Sequence, residues 1–289
     1  MKKILLLTDF SEASHHALQY ARSFFSDTAV DFHLLCIYPV EPDSFYSQKH
    51  VATTARTAFN DQLHELATNL RHEAINDWHT FRSSALAGNL TDVVAQVTGA
   101  ELYDYVVLGA KKGGTNELFG NSATALVRQL KTNVLVVPID AVANRIRQVV
   151  LAADFGQLKN CAQLVPVKEL VLLKRATLTL LTIDTPGKKE TNYEREVRVQ
   201  QFLAPLNTPI ARLQAPSVRQ GISLYLDGHS VDLLAVIPKH KGWTETLAGQ
   251  SITRSLVYTP PVPLLTLYDN GSSDEHYLID DLSNLDCAL

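Results

Sequence analysis

A chain of 289 residues, 46% hydrophobic and 19% charged, is long enough for two sizeable cores and is neither low-complexity nor fibrous. A formal net charge of −4 supplies no basic footprint for nucleic acid, and no stretch reaches the roughly 18 consecutive apolar residues of a membrane span. Neither a nucleic-acid nor a membrane partner is expected.

Met1, Lys2 and Lys3 before Ile4–Leu7 have the outline of a signal peptide, but Asp9 cuts the apolar run too early, and residues 4–8 read as a first strand. Ser11 is placed to cap a helix with Ala13, Ala17, Leu18, Ala21, Phe24 and Phe25 at helical spacing. Residues 30–38 make a second strand, followed by a loop from Pro39 to Pro42 and an aromatic connector with Phe45 and Tyr46. A long amphipathic helix carrying Phe59, Leu63, Leu66, Leu70 and Ile75 leads to a third strand at 78–86. Asn89 caps the next helix, with Val93, Val94 and Val97 on its apolar face. The fourth strand, 105–108, breaks into a Gly/Lys loop running from Gly109 to Ser122, where a new helical pattern starts. Backbone N–H groups at such a helix start, with lysines beside them, suit phosphate. Residues 134–137 complete the set. Strands alternating with helices at this spacing predict βαβ units in an open parallel sheet, an α/β protein.

The pattern then repeats. Residues 4–10 return at 149–155, with Asp9-Phe10 matched by Asp154-Phe155. Asp104 and its strand return at Asp232, Gly120–Thr124 at Gly249–Thr253, and residues 134–137 at the apolar run 263–267. A tandem duplication follows, with domains at 1–140 and 146–268 and an acidic tail at 269–289. Each copy ends on a short apolar strand whose open edge invites pairing, so the two last strands are expected to pair with each other as an internal pseudo-dimer. Charge is spread unevenly: 11 basic and 15 acidic groups in 1–140, 15 and 9 in 141–268, and 6 acids with no Lys or Arg in the tail. In the tail Leu278, Ile279, Leu282 and Leu285 share one helical face.

These residues resemble the universal stress protein family in its tandem form, over about residues 1–268. The likeness rests on the first strand ending Leu7-Thr8-Asp9-Phe10-Ser11, the five strand–helix alternations, and the Gly-rich loop before the last helix. It implies two doubly wound five-stranded parallel-sheet domains of the adenine nucleotide α hydrolase-like kind, with ligand at the switch point between first and fourth strands. The general rule for open α/β sheets puts a ligand at the same place. ATP-binding members use an Asp at the end of the first strand and a Gly-x2-Gly-x9-Gly-Ser/Thr loop around ribose and phosphates. Asp9, Gly109 and Gly120 match. Here the outer glycines are 11 positions apart where the pattern has 13, Lys112 takes the second glycine's place with Gly113 one step late, and Asn121 precedes Ser122 at the hydroxyl position. Asn121 can still donate to a phosphate, and Lys111 or Lys112 adds charge. The implied site is Asp9, Gly109, Lys111, Lys112, Gly113, Gly120, Asn121 and Ser122, binding ATP or AMP, with or without Mg. In the second copy Ile237 replaces the first glycine, Trp243 is bulky enough to fill a cavity, and Ser251 and Thr253 read as helix caps. That copy is read as a structural partner without its own nucleotide.

Other chemistry finds little support. The ten histidines show no His-x3-His or His-Glu-x2-His and are expected at the surface. Gly-x-Ser-x-Gly is absent, and Lys239-His240-Lys241 reads as a solvated loop. Cys36, Cys161 and Cys287 are far apart without ligand spacing, which fits a reducing cytosol. The expectation is a cytoplasmic, non-enzymatic stress-response regulator with paired domains, a homodimer or an unidentified protein being its further partners. A nucleotide-free interaction scaffold is the alternative, and a weak ATP-hydrolysing enzyme comes last.

Overall fold

The structure is a computed structural model that describes residues 1–39, 48–73, 78–110, 125–127, 129–143, 145–158, 160–187, 192–237 and 260–268, with backbone alone at 48–55. The chain forms two compact units. Unit 1 comprises Met1–Arg145 with Thr244–Thr266, and unit 2 comprises Ile146–Trp243 with Leu267–Leu289.

Unit 1 alternates strand and helix: β1 (Lys2–Thr8), α1 (Glu12–Phe24), β2 (Val30–Tyr38), α2 (Gln48–His72), β3 (His79–Ala87), α3 (Leu90–Ala100), β4 (Tyr105–Ala110) and β5 (Asn133–Pro138). These strands lie in the order β3-β2-β1-β4-β5 and are all parallel. Leu6 sits opposite Leu34 on one side and Val107 on the other. The central strands β1 and β4 are continuous apolar runs because both of their faces are covered, and Ile4, Leu5, Val106 and Val107 are fully buried. Each such side chain contributes about 1.5–3 kcal/mol of burial free energy. Edge strand β3 is less buried: His79, Phe81 and Ala85 pack inward from one face while Thr80 on the other face is exposed. Ser11 caps α1 as expected, its hydroxyl accepting from the Ser14 N–H at 3.3 Å, and Asn89 caps α3 by accepting from the Thr91 N–H at 3.0 Å.

Unit 2 repeats the plan with β6 (Gln148–Ala152), α4 (Val165–Lys174), β7 (Thr177–Asp184), α5 (Tyr193–Leu203), β8 (Ile210–Gln214), α6 (Val218–Gly228) and β9 (Leu233–Val236), in the parallel order β9-β6-β7-β8. One pair of aspartates shows the duplication in atomic detail. Asp104 accepts from the Lys3 N–H at 2.8 Å, and its own N–H donates to the Lys3 carbonyl. Asp232 accepts from the N–H groups of Arg147 and Gln148 at 2.7 and 2.8 Å, and its N–H donates to the Gln148 carbonyl. Each ties the start of its unit's fourth strand to the start of the first.

The final strand, β10 (Leu264–Thr266), runs antiparallel to β5, with Leu264 opposite Val136 and Thr266 opposite Val134. The expected pairing of last strands is present, and it makes β10 the sixth strand of unit 1. Leu264 and Leu265 are buried there, and the Thr266 hydroxyl donates to the Val134 carbonyl at 3.3 Å.

Candidate functional site

The sequence places its candidate ligand position where β1 hands over to α1. Thr8 ends the strand, and its hydroxyl lies 3.2 Å from that of Ser14 and accepts from the Phe10 N–H at 3.1 Å. Asp9 accepts from the Ser11 N–H at 3.1 Å, closing an Asx turn. The tightness of this turn drives Phe10 to φ +58°, in the left-handed region that a bulky side chain rarely occupies. The Asp9 carboxylate, half-buried, therefore stands at the carboxyl end of the parallel strands beside the amino-terminal turn of α1.

Gly109 lies at the matching end of β4, opposite Val137. A Cβ built on it would fall 2.2 Å from the Ala13 carbonyl oxygen and 3.1 Å from the Ser14 nitrogen. The first turn of α1 thus packs directly on the Gly109 backbone. The glycine is demanded by helix–strand contact, a reason the family pattern alone does not supply. Asp9 and Gly109 flank the same helical turn, so the structure brings these two expected residues together. Lys111, Lys112, Gly113, Gly120, Asn121 and Ser122 lie outside the described residues, as do Trp243, Ser251, Thr253 and the 239–241 cluster.

Two features near Asp9 escaped the sequence. The Phe10 ring stacks on Phe59 of α2 at 6.3 Å between centroids, and Phe59 stacks on Tyr38 at the end of β2 at 5.1 Å. Cys36 pairs with Thr8 across β1 and β2. Burial, with the negative charge of Asp9 as a second cause, pushes its thiol up to about 11, so it stays a neutral packing group. Phe59 was legible as an apolar helix position; its partners across two other elements were not.

The equivalent position in unit 2 is built differently. From the end of β1 to the start of α1 is four residues, Thr8 to Glu12, whereas from Ala152 to Val165 is thirteen. Two short 3₁₀ turns, Phe155–Gln157 and Cys161–Leu164, occupy the difference. Phe155, the counterpart of half-exposed Phe10, is fully buried, and Asp154 has no side-chain capping bond. Ile237, in the place of the first glycine, is buried as well.

A sequence model of the universal stress protein family matches residues 1–138. Those residues belong to the universal stress protein family. Nearly the whole chain shares its fold with the universal stress protein of Archaeoglobus fulgidus DSM 4304, at TM-score 0.70 and 17% identity over 92% of this chain and 97% of that one. A functionally unknown protein from Pseudomonas aeruginosa PAO1 matches at TM-score 0.60 and 16% identity, over 92% of each chain. The cytoplasmic domain of a prokaryotic cation chloride cotransporter matches at TM-score 0.55 and 11% identity, over 96% of this chain and 99% of that one. No curated protein matches the chain. No helix among the described residues is long and apolar enough to cross a membrane.

The universal stress protein domain also corrects one expectation: His33 and His79 are buried, not at the surface. His33 sits in a polar chain that ties β2 and β3 to the segment after α3. Its Nε2 lies 2.6 Å from the Ser84 hydroxyl and its Nδ1 2.6 Å from the Tyr103 hydroxyl. Tyr103 donates to Glu101 at 3.0 Å, which fixes the proton of His33 on Nδ1 and makes Ser84 the donor to Nε2. Glu101 also accepts from Lys3 at 2.8 Å and Arg82 at 2.7 Å, and Arg82 donates to Asp31 at 3.0 Å. Burial, then the charge of Arg82, lowers His33 to about 4, against the opposing pull of Glu101 and Asp31. The hydrogen bond from Lys3, with those from Arg82 and Tyr103, holds Glu101 down at about 2. Such a network is satisfied internally and stabilises the fold; it lies away from Asp9.

Proposed function

We propose that the protein is a universal stress protein-type regulator in the stress response, cytoplasmic and without dedicated catalysis, that binds an adenine nucleotide, ATP or AMP, in unit 1. The observation that carries this reading is the convergence of Asp9 and Gly109 on the first turn of α1 at the carboxyl end of the parallel strands, where open α/β sheets take their ligands. Asp9 would accept hydrogen bonds from the base or ribose, and the lysines and Asn121 of the 109–122 loop would meet the phosphates. Mg²⁺, where present, would arrive held mainly by those phosphates. Unit 2 serves as structural partner, since its displaced helix start and buried Phe155 leave no counterpart of the Asp9 turn.

Titration calorimetry of ATP into the full chain tests this. Saturable binding is expected, weakened roughly tenfold or more in Asp9→Ala, the size expected for losing a hydrogen bond to a charged group. Absence of binding to the unaltered protein at millimolar ATP sinks the reading. The scaffold alternative draws support from Gly109, whose identity packing alone explains. It expects a melting temperature that ATP does not move, whereas a bound ligand raises it by mass action.

A further inference from the structure

The edge strands of the two units are finished differently. In β3 of unit 1 the Trp78 carbonyl accepts from the Val30 N–H, so even-numbered residues face β2 and odd-numbered ones direct their main-chain groups outward. The Phe81 carbonyl, one of these, accepts from the Arg71 guanidinium of α2 at 2.7 Å, so a helix side chain already sits on that edge. β8 is the edge strand of unit 2. The Leu180 N–H donates to the Pro209 carbonyl and the Ala215 N–H to the Asp184 carbonyl. Odd-numbered residues therefore face β7, and Ile210 and Gln214 point their main-chain groups outward. The one charged side chain of β8, Arg212, is held by Glu196 at 2.8 Å and Asp184 at 3.4 Å, which leaves no bare charge to guard the edge. Pro209 and Pro216 bracket the strand and keep the open edge short.

The helix over β8 is uncovered on the same side. α5 turns Glu196, Val199 and Leu203 inward. One flank meets its neighbours: Arg195 donates to the Gly156 carbonyl at 3.4 Å, and Lys168 of α4 donates to the Phe202 carbonyl at 2.6 Å. The opposite flank, at 100° per residue, carries Tyr193, Val197 and Gln200. It follows β8, since the Tyr193 ring lies 5.8 Å from the Arg212 guanidinium and Gln200 donates to the Thr208 carbonyl at 2.8 Å. Tyr193 and Val197 are nevertheless 68% and 50% exposed. An extended peptide added to β8 would satisfy the edge and leave this row in water. A partner that also carries a helix over its strand covers both, and a second copy supplies one through a two-fold axis. We propose that β8 pairs antiparallel with β8 of a second copy, in the register centred on Leu213. Centred on Arg212, like charges would stand opposite each other. Centred on Leu213, Arg212 faces Gln214 of the second copy and the two leucines meet. Strands about 4.8 Å apart bring the helices above them to about 10 Å, an ordinary packing distance, so the Tyr193–Val197 rows of the two α5 helices close on each other. The same edge chemistry already joins β10 to β5. A head-to-tail assembly through β3 would need the edge that Arg71 holds, and it would not close. The contact falls toward the low end of stable interfaces, about 1,200 Å² in total, which suits a micromolar dimer.

Sedimentation velocity on the full chain, from micromolar to several hundred micromolar, tests this. A monomer–dimer equilibrium is expected. Gln214→Pro removes an outward N–H and keeps the ladder to β7, and Val197→Asp puts a charge into the helix row. Each should weaken the dimer roughly tenfold or more while the circular dichroism of the monomer stays unchanged. Leu102→Asp, at a residue 88% exposed in unit 1, should leave the equilibrium where it was. Val197→Asp alters only the surface and decides alone if the proline variant misfolds. A full chain that stays monomeric at several hundred micromolar overturns the proposal. So does a dimer that either folded variant leaves intact, because another surface, or a strand contact without the helix row, would then hold the copies together.

Discussion

Gly109 carries two explanations that a single substitution separates. If α1 packs on its backbone as the 2.2 Å approach to the Ala13 carbonyl requires, Gly109→Ala must shift the helix or the strand. The expected loss is about 1–3 kcal/mol in urea unfolding with no nucleotide present, the usual cost of overpacking a close contact. Asp9→Ala, by contrast, removes one Asx-turn bond on a half-buried residue and should cost no more than about 1 kcal/mol. Equal stability of Gly109→Ala and the unaltered protein would return the glycine to a ligand-only role. The positions of both residues were legible in the sequence, through the strand-end Asp and the glycine after an apolar run. The reason for the glycine was not, because the atoms that forbid a side chain belong to Ala13, far earlier in the chain.

Among elements, the His33 network decides how β1, β2, β3 and the segment before β4 respond to acid. The unfolded chain protonates this histidine near 6.5, and the folded protein only near 4. Its contribution is therefore complete above pH 6.5 and is lost as pH falls toward 4, with a full span of roughly 3 kcal/mol. His79, also lowered chiefly by burial, acts with the same sign. Glu101 follows in the next window, its contribution present above 4.5 and lost as pH falls through about 2. Urea unfolding at intervals from pH 7 to 4.5 should show a steep loss that flattens in His33→Asn, and identical slopes would refute the assignment. Sequence patterning found these elements well, since the 2.0 and 3.6 periods are local. It missed the network because Asp31, His33, Arg82, Ser84, Glu101 and Tyr103 read as polar positions one at a time, and only strand register joins them. In unit 2 the same limit applied to Asp154-Phe155: the repeated sequence was visible, but the short 3₁₀ turns at Phe155–Gln157 and Cys161–Leu164 that precede α4 carry neither period.

For the molecule as a whole, the region matched by the family model ends at residue 138, while unit 1 does not. Its sheet is completed by β10, which comes from more than a hundred residues later and covers the outer edge of β5. Two fully packed leucines and three residues of antiparallel ladder are lost if the chain stops at residue 145. What remains is a bare edge at 133–138 flanked by buried Val134, Leu135, Val136 and Val137, a template for another strand. A fragment of residues 1–145 is therefore expected to self-associate at micromolar concentration through β5, read by light scattering as a dimer. A synthetic peptide of residues 260–268 should compete and return it to monomer. In the full chain β10 already holds that edge, so any homodimer must use a different surface. A monomeric fragment with β5 amides as protected as in the full chain would show that β10 contributes nothing the first copy needs, and would reduce the duplication to two self-sufficient domains. The antiparallel register at Leu264 and Val136 argues for the other outcome, in which the second copy persists because it finishes the sheet of the first.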